Sequence, residues 1–508
     1  MTIRRLPALG VLTLGVLLIG VDGTVVSLAT PFIIADLGAG ATDMLWVGDV
    51  YSFVLAGLLV TMGSLGDRIG HRRLLLIGGG AFAATSVATA YAPTVGLLIG
   101  ARALLGVAGA TLAPSTLALI RGLFPRPRER TVAIGIWAAV FSAGSALGPV
   151  ISGLLVDHFW WGSVFLVNVP VAVMLLVGIV VVPEIRNPAP GPWDLPSVGL
   201  SLAGTLGLVY AIKEGAAGGL HVEMAIAGVG GVAALVVFAR RQLRLTTPLI
   251  DVRIFADRAF SGVVIANLLA VLGLSGVVFF LSQFFQLVGS YSPVQAGLAE
   301  LPAAVAAMVF GLLAGVAVRF WSRRGVLASG LALIGAGLAS LTLVSPSTAY
   351  PHIGFALFAI GAGLGLAYTV ANDLILAGVA PERAGAAAAI SETAYELGMA
   401  LGIATLGSVV ACVYRGLEVP PGMHADMAAQ AKQTLGGANQ AAATLPADQA
   451  NQLLTAARGA FTDGLVAAAG VGSALLLASA TVVWLLLKPI PQSGRVSPCS
   501  KVNTLSGS

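Results

Sequence analysis

The sequence predicts an all-α polytopic membrane protein with fourteen transmembrane helices arranged as six, two and six. Of its 508 residues, 57% are hydrophobic and only 10% are charged, whereas soluble domains carry about 25% charged residues. The mean hydropathy is +0.95. Since a spanning helix needs about 20 apolar residues, the chain has room for a dozen or more. This composition excludes a soluble enzyme, a disordered chain and a disulfide-stapled secreted domain.

Charged or Pro/Gly-rich breaks divide the sequence into apolar stretches, which we number as spans 1 to 14. The first stretch follows Arg4 and Arg5 but contains Asp22 and lacks a convincing cleavage site, so it is predicted to be an uncleaved span. The predicted spans are 6–30, 44–64, 74–92, 97–120, 131–155, 161–182, 197–214, 222–240, 259–285, 294–319, 325–344, 351–378, 384–414 and 463–487.

The placement of basic residues predicts the orientation. With these spans, 22 of the 27 lysines and arginines lie on one side of the membrane and four on the other, while Arg102 lies inside span 4. Because cytoplasmic loops carry the excess of Lys and Arg, both termini are predicted to be cytoplasmic, in a bacterial inner membrane.

Two long basic connections, 183–196 and 240–258, bracket spans 7 and 8 and predict an inserted helix pair. The basic segment 63–73 after span 2 is loosely echoed by 315–324 after span 10, as expected for repeated halves. We therefore predict an N-terminal bundle 1–182, an inserted pair 183–258, a C-terminal bundle 259–487 and a cytoplasmic tail 488–508. The C-terminal bundle includes an Ala/Gln-rich extracellular loop, 415–462, which is either a solvated helical cap or a gate or partner site.

Several enzyme motifs are absent. None of the four lysines follows a glycine, so there is no Gly-Lys-Ser/Thr phosphate loop, and there is neither a His-Glu-x-x-His nor a Gly-x-Ser-x-Gly motif. The chain is therefore predicted to be neither an enzyme nor an ATPase, with no cofactor, metal or nucleic-acid partner. Its transport would depend on an ion gradient or on the solute's own gradient.

Charged residues inside spans are the candidate functional residues, because each costs about 2.5–3.5 kcal/mol at a helix centre. Six of the seven are acidic, which favours binding of protons or cationic solutes, and competition between the two would couple their movements. The seven are Asp22, Asp49, Arg102, Glu300, Asp373, Glu392 and Glu396.

Glu392 and Glu396, four residues apart in span 13, share one helix face and form the strongest proton-site candidate from chemistry alone. The alternative is a solvated pair at the cytoplasmic entrance. Asp22, midway along span 1, is either a proton site or a polar residue satisfied by a neighbouring helix. Arg102 is expected to pair with an acid, Asp22 or Asp49, and to release it when a proton arrives.

Asp49 lies a turn into span 2, and aromatic residues flank it. Trp46 and Tyr51 serve either as interfacial anchors or as aromatic faces for a cation. Tyr395, beside Glu396, is assigned to substrate binding as well. Glu300 either lines the cavity or extends outward, and Asp373 is either functional or a solvated helix end.

The motifs resemble those of the major facilitator superfamily. The segment from Gly63 to Arg73 resembles its signature between helices 2 and 3, and Arg102-x-x-x-Gly106-x-x-Gly109 resembles its proton-coupling motif. Span 5 resembles the antiporter-specific motif, with Ser152 where glycine is usual. The residues assigned to conformational change are Gly63, Asp67, Arg68, Gly70, Arg72, Arg73, Gly144, Gly148 and Pro149. We expect the first loop, through Asp67 and its arginines, to latch the two halves together.

The surroundings of Asp22 and Asp49 and the stretch from Glu392 to Gly398 narrow the resemblance to the fourteen-helix drug:proton antiporters that export quaternary ammonium compounds, cationic dyes and methyl viologen. That resemblance implies a role in protonation for Asp22 and in cation recognition for Asp49. Some members have an aspartate on helix 10 linked to divalent cations, where this chain has Ala307. Our hypothesis is that Glu300 partly substitutes for it.

These features predict an exporter that exchanges cytoplasmic lipophilic cations for protons. Two alternatives remain open: a proton-coupled exporter of one endogenous metabolite or antibiotic, and a membrane receptor that binds without translocating.

Overall fold

The computed structural model describes residues 5–38, 41–184, 194–218, 222–245, 248, 251–380, 383–420 and 423–486, and these are helical with short connections. The α-helices are α1 Leu6–Leu37, α2 Ala41–Ile69, α3 His71–Ala90, α4 Val95–Leu123, α5 Pro127–His158, α6 Ser163–Leu166, α7 Asn168–Gly178, α8 Leu195–Gly218, α9 Val222–Arg244, α10 Arg258–Gln283, α11 Pro293–Phe320, α12 Arg323–Leu341, α13 Tyr350–Ala377, α14 Ala384–Tyr414, α15 Ala425–Gln433, α16 Leu435–Ala442 and α17 Ala447–Leu486.

The all-helical fold class is confirmed. Among the described residues, 13 helices are long and apolar enough to cross a membrane, with α6 and α7 together forming one of them. The predicted seventh span coincides with α8, whose described apolar part is Pro196–Leu208. The predicted sixth span is divided at Val167 into α6 and α7, three residues before Pro170. Because proline lacks a backbone N–H, it is tolerated near a helix start, and the break precedes it.

The prediction that the last helix begins near residue 463 is wrong. Helix α17 begins at Ala447, and α15 and α16 occupy much of the remaining predicted loop. Alanine and glutamine are good helix formers, so the segment forms helices despite its polarity. The Tyr414 hydroxyl donates to the Ala431 carbonyl at 3.1 Å, and Leu435 and Leu453 are buried. The segment is thus a packed helical cap beyond the end of α14.

Two six-helix bundles flank the helix pair. In the first, α1 packs along α5 and α2 along α4; in the second, α10 packs along α14, α11 along α13 and α12 along α17. The pair α8–α9 forms a hairpin, and α8 contacts both α2 and α14. On α9, Val222, Ile226 and Val229 are between 67 and 76% exposed. Such an exposed apolar face is suited to lipid.

We call the end of the molecule that carries the α2–α3, α4–α5 and α11–α12 connections the basic end, because arginines flank all three. Here the two bundles meet through α2 against α14 and α5 against α11. The contact requires glycine: a Cβ on Gly63 would collide with the Gly385 carbonyl, and one on Gly135 with that of Gly311. These close backbone approaches hold the two bundles together at the basic end.

The same face of α5 is less covered toward the other end of the molecule. Ala139, one turn after Gly135, is 4% exposed, whereas Val150 is 41% exposed and Leu154, on the adjoining face, is 60% exposed. The interface between the bundles therefore is tight at the basic end and loosens toward the opposite end.

Candidate functional site

Asp22 and Arg102 form a buried ion pair between α1 and α4. Arg102 Nη1 lies 2.8 Å from Asp22 Oδ2, and the side chains are 2% and 0% exposed. Asn168 of α7 donates to Asp22 Oδ1 at 2.9 Å, so both carboxylate oxygens have partners. Arg102 Nε also donates to the Val47 carbonyl of α2 at 3.1 Å. One acidic group is thereby tied to three other helices.

Aromatic rings complete this buried site. The Arg102 guanidinium lies 4.8 Å from the ring centre of Tyr51 and 5.8 Å from that of Phe165. Tyr51 is itself buried, and its hydroxyl has no hydrogen-bond partner among the described residues. Because a buried charge is stable only when paired, a proton on Asp22 would leave Arg102 without its counter-ion. The arrangement can convert protonation into movement of Arg102.

Glu392 lies on the other side of the interface, on α14. It is 9% exposed, and its Oε1 accepts a hydrogen bond from Tyr368 of α13 at 2.9 Å. Glu396, one turn further, is partly exposed, and its carboxylate acts electrostatically on both Tyr51 and Tyr395.

Four rings join the two bundles, and one of them, Tyr368, binds Glu392; we call Trp137, Phe141, Tyr368 and Tyr395 the aromatic cluster. Tyr368 stacks on Trp137 of α5 at 6.3 Å between ring centres, and Tyr395 meets Phe141 of α5 edge-on at 5.9 Å. Tyr368 and Tyr395 are 5.3 Å apart. Ring faces next to a carboxylate attract organic cations.

Of this cluster, only Tyr395 was predicted from the sequence. The Trp137 indole N–H is satisfied by Thr116 of α4 at 3.0 Å, which orients its ring. Trp137, Phe141 and Tyr368 were missed because their importance arises from contacts between helices distant in sequence. The signal in the sequence that could have identified them is that each is an aromatic residue within span 5 or span 12.

Glu300 and Ala307 both lie on α11. The Glu300 side chain is partly buried, and its Oε1 has no hydrogen-bond partner among the described residues. Ala307 is 6% exposed, and its backbone lies against Gly365 of α13. Gly365, which lacks a Cβ, permits this close helix contact.

The side chains of Asp49 and Pro149 lie outside the described residues, although both positions are helical. Trp46 is 40% exposed and stacks on Tyr210 of α8 with 6.3 Å between ring centres. It also meets Phe53 edge-on at 6.2 Å. Trp46 thus connects the first bundle to the inserted pair.

Asp67 joins the two bundles at the basic end. Its oxygens accept hydrogen bonds from the backbone N–H groups of Gly385 at 3.0 Å and Ala386 at 3.2 Å, in the first turn of α14. A carboxylate is stabilised there by the free N–H groups and the helix dipole. His71 Nε2 lies 2.8 Å from Asp67 and holds it from the other side.

The neighbouring motif residues contact their own bundle. Glu184 accepts a hydrogen bond from the Arg72 backbone N–H at 3.0 Å, and it lies 3.9 Å from Arg73 Nε. Gly70 has a φ of 104°, and a Cβ there would collide with Glu184. Glycine is therefore required both by the backbone conformation and by this close approach.

Asp373 forms a second junction between the bundles. It is fully buried and receives Arg130 Nε at 2.6 Å and the Thr131 hydroxyl at 2.9 Å, both from α5, and Arg323 Nε of α12 at 3.0 Å. Arg121 of α4 also donates to the Val379 carbonyl. The solvated alternative for Asp373 is wrong, because two arginines and a hydroxyl occupy its oxygens.

The antiporter-like glycines lie where α5 meets α1. A Cβ on Gly148 would collide with Thr24, and one on Gly144 would crowd Leu17 and Val21. Ser152, which replaces the usual glycine, donates its hydroxyl to the Val25 carbonyl at 2.7 Å. The serine thus adds a hydrogen bond at a close contact near the middle of α1.

The sequence profile described as Major Facilitator Superfamily matches residues 12–403. The chain belongs to the Major Facilitator Superfamily. It is 46% identical over 482 residues to the multidrug efflux pump LfrA of Mycolicibacterium smegmatis, covering 94% of this chain and 96% of the relative. It is 37% identical to the methyl viologen resistance protein SmvA of Salmonella typhimurium, covering 90% and 94%. It is also 31% identical to a tetracenomycin C resistance and export protein of Streptomyces glaucescens, covering 96% and 93%.

Solved structures confirm the superfamily's fold. The human organic anion transporter MFSD10 superposes with a TM-score of 0.65 at 14% identity, covering 95% of this chain and all of that one. The proton:xylose symporter XylE superposes with a TM-score of 0.59 at 15% identity, covering 95% of each chain. The protein is therefore a multi-pass membrane transporter and not an enzyme, and its relatives include drug efflux pumps.

Proposed function

We propose that this superfamily member is a proton-coupled antiporter that exports lipophilic cations, such as quaternary ammonium compounds and cationic dyes. The observation that carries the proposal is the presence of a buried acid in each bundle: Asp22 with Arg102 in the first, and Glu392 with the aromatic cluster in the second.

In this mechanism Asp22 is the coupling acid. Its carboxylate holds Arg102, which in turn binds the α2 backbone at Val47. Protonation removes the counter-ion, so Arg102 must find another partner or the helices must move to expose it to water. A proton arriving at Asp22 would thereby change how α1 and α4 pack against α2.

Glu392 and Glu396, predicted as proton sites, would hold either a proton or the cation, and the aromatic cluster would bind the cation beside them. A lipophilic cation entering between α5 and α14 would meet the ring faces of Phe141 and Tyr395 and the negative charge of Glu396. Because a proton on either glutamate removes that charge, proton and cation binding oppose each other. Asp49 would strengthen the attraction from α2.

Alternating access follows from the contacts at the basic end. We assign this end to the cytoplasm by the excess of arginine. The structure is then closed toward the cytoplasm by two contacts: Asp67 of α2 binds the first turn of α14, and Asp373 of α13 binds Arg130 of α5. Rocking of the bundles would open the cytoplasmic side and admit the drug.

Export of a specific antibiotic is the second candidate, and the tetracenomycin C export protein among the relatives favours it. Such a site should accept a narrow set of related molecules. The aromatic cluster favours the cation exporter instead. Ring faces and carboxylates attract positively charged apolar molecules in general and do not select one molecular shape.

The test uses everted membrane vesicles with an acid interior and a fluorescent reporter of the proton gradient. Ethidium, a quaternary ammonium compound and methyl viologen are added separately to the wild type and to Asp22→Asn. Asp36→Asn is the matched control, because it makes the same change near the end of α1, where Asp36 accepts a hydrogen bond from Trp161.

We expect cation-dependent proton efflux in the wild type and in Asp36→Asn, and none in Asp22→Asn. Efflux with one antibiotic and with none of the cations would favour the second candidate. Binding of a cation without any proton flux or transport would indicate the non-translocating receptor.

A further inference from the structure

A groove of about 510 Å³ opens on the outside of the second bundle, away from the interface between the bundles. Small residues of α12 and α17 form its floor, including Gly325, Ala328, Ala332 and Ala480. Two tryptophans, Trp321 and Trp484, form its rim and are 62% and 50% exposed. Since small side chains on both helices leave this space, the groove is apolar and accessible from the side of the bundle.

The mouth of the groove lies at the basic end and carries positive charge. The Arg324 guanidinium lies 4.5 Å from the ring centre of Trp484, which fixes it at the rim. Ser322 caps the N-terminus of α12 at the same rim, where helix N–H groups and the helix dipole also favour an anion. Arg319 lies at the end of α11, with its guanidinium 6.0 Å from the Phe320 ring.

An apolar groove beneath a cationic rim matches one occupant of the surrounding bilayer, an anionic phospholipid. Tryptophans mark the level of the lipid headgroups, and basic pockets between transmembrane helices bind anionic headgroups. A lipophilic cation would also fit the apolar floor, but Arg324 at the rim would repel its charge.

We propose that the groove between α12 and α17 binds an anionic phospholipid, with its phosphate at Arg324 and the N-terminus of α12 and one acyl chain along Ala328, Ala332 and Ala480. The lipid would support the α11–α12 connection from outside. Arg323, adjacent to Arg324, binds Asp373 at the junction of the two bundles. Bound lipid would therefore favour the state closed at the basic end.

The test measures lipid retained by the purified full-length protein, using native mass spectrometry with added phosphatidylglycerol or phosphatidylcholine. The variant Arg324→Gln removes the cation, and Ala332→Phe fills the groove. Arg324→Lys keeps the charge, and Arg244→Gln is the matched control, because it removes an exposed arginine from α9 at the same end. Size-exclusion chromatography verifies that each variant is folded.

We expect the wild type to retain phosphatidylglycerol in preference to phosphatidylcholine. Since a basic residue near an anionic headgroup contributes about 1 kcal/mol, Arg324→Gln should bind phosphatidylglycerol about fivefold more weakly. Ala332→Phe should also lose it, whereas Arg324→Lys and Arg244→Gln should retain it.

Three results would overturn the proposal: equal retention of both lipids, unchanged retention in folded Arg324→Gln and Ala332→Phe, or displacement of the lipid by ethidium. The last result would make the groove a drug site. None of these measurements requires transport, so the outcome is independent of the proposed antiport.

Discussion

Asn168 of α7 and Arg102 of α4 bind opposite oxygens of the Asp22 carboxylate, at 2.9 and 2.8 Å. The acid is therefore held in a fixed orientation by two donors from different helices. Charge pairing and hydrogen bonding offset its desolvation, which is the condition under which a fully buried carboxylate remains in a membrane bundle. Any proton that reaches Asp22 must compete with this pair.

The first prediction concerns the free energy of unfolding. Asp22→Asn leaves Arg102 buried without its counter-ion and should destabilise the protein by about 3–5 kcal/mol, because breaking one side of a buried pair costs more than replacing both. The double variant Asp22→Asn/Arg102→Met should recover most of that loss. Thermal unfolding of the purified variants in detergent checks both values.

Neither variant should transport, because each lacks the coupling acid. A double variant that is less stable than Asp22→Asn would contradict the ion-pair account. Retained proton-driven export in Asp22→Asn would remove Asp22 from the coupling mechanism.

The second prediction concerns the contact of Asp67 with the first turn of α14. Asp67→Ala removes two hydrogen bonds to a charged acceptor, each with a net contribution of about 1.5–3 kcal/mol. The bundles should therefore separate more often at the basic end. A cysteine introduced as Ala139→Cys, on the α5 face that meets α11, reports this opening through its rate of maleimide labelling.

The labelling is measured in a background with Cys412 and Cys499 replaced by serine. We expect labelling at least about tenfold faster in Asp67→Ala than with Asp67 present, since 1.4 kcal/mol corresponds to tenfold in an equilibrium. Asp67→Asn, which keeps one acceptor oxygen, should be intermediate. An unchanged rate in folded protein would mean that Asp67 does not limit opening.

The third prediction concerns the aromatic cluster. Tyr395→Leu removes a ring that faces both Phe141 and Tyr368, and a cation–π contact contributes about 0.5–2 kcal/mol. The KM for a quaternary ammonium substrate should rise roughly fivefold, as expected for about 1 kcal/mol. Tyr395→Phe keeps the ring and should stay near the wild-type value.

Transport assays at several substrate concentrations check this prediction. Tyr91→Leu is the matched control, because Tyr91 is a 63% exposed tyrosine at the end of α3 and its ring contacts Trp160 instead. Equal effects of Tyr395→Leu and Tyr91→Leu would show that the ring face of Tyr395 does not bind substrate.

The sequence predicted the helices well because spanning helices must be long and apolar. The start of α17 was misplaced because the Ala/Gln-rich sequence before residue 463 was taken as part of a solvated loop, although Leu435 and Leu453 give the segment a buried face. Periodicity cannot reveal that face when most positions are alanine, which is compatible with either side.

The buried acids could be predicted, but most of their partners could not. A charge inside a span is visible in the sequence, and Arg102 was expected to pair with Asp22 or Asp49. By contrast, Asn168 is an uncharged residue within span 6 and Arg130 lies just before span 5, and only the fold brings them to Asp22 and Asp373. In the sequence, Trp137 cannot be distinguished from any apolar core residue, because its contact with Tyr368 arises only from the packing of α5 against α13.

The fourth prediction concerns the pH dependence of packing between α8 and α9, the two helices of the inserted pair. Asp194 precedes α8, and its hydrogen bonds from Arg241 of α9 hold the pKa of its carboxyl below its usual value. A folded-state pKa that is depressed stabilises the fold above the unfolded-state pKa of about 4, and that stabilisation is lost as the pH falls through the folded value. Wild-type stability should therefore decrease on acidification through this range.

Asp194→Asn and Arg241→Gln should each remove this part of the pH dependence and lower stability at pH 7. The measurement is thermal unfolding of the wild type and both variants at neutral pH and at steps below pH 4. Asp251→Asn is the control, because Asp251 pairs with Arg383 at a more exposed site. If the wild type and Asp194→Asn lose stability in parallel on acidification, the ion pair between Asp194 and Arg241 does not contribute to packing of α8 against α9.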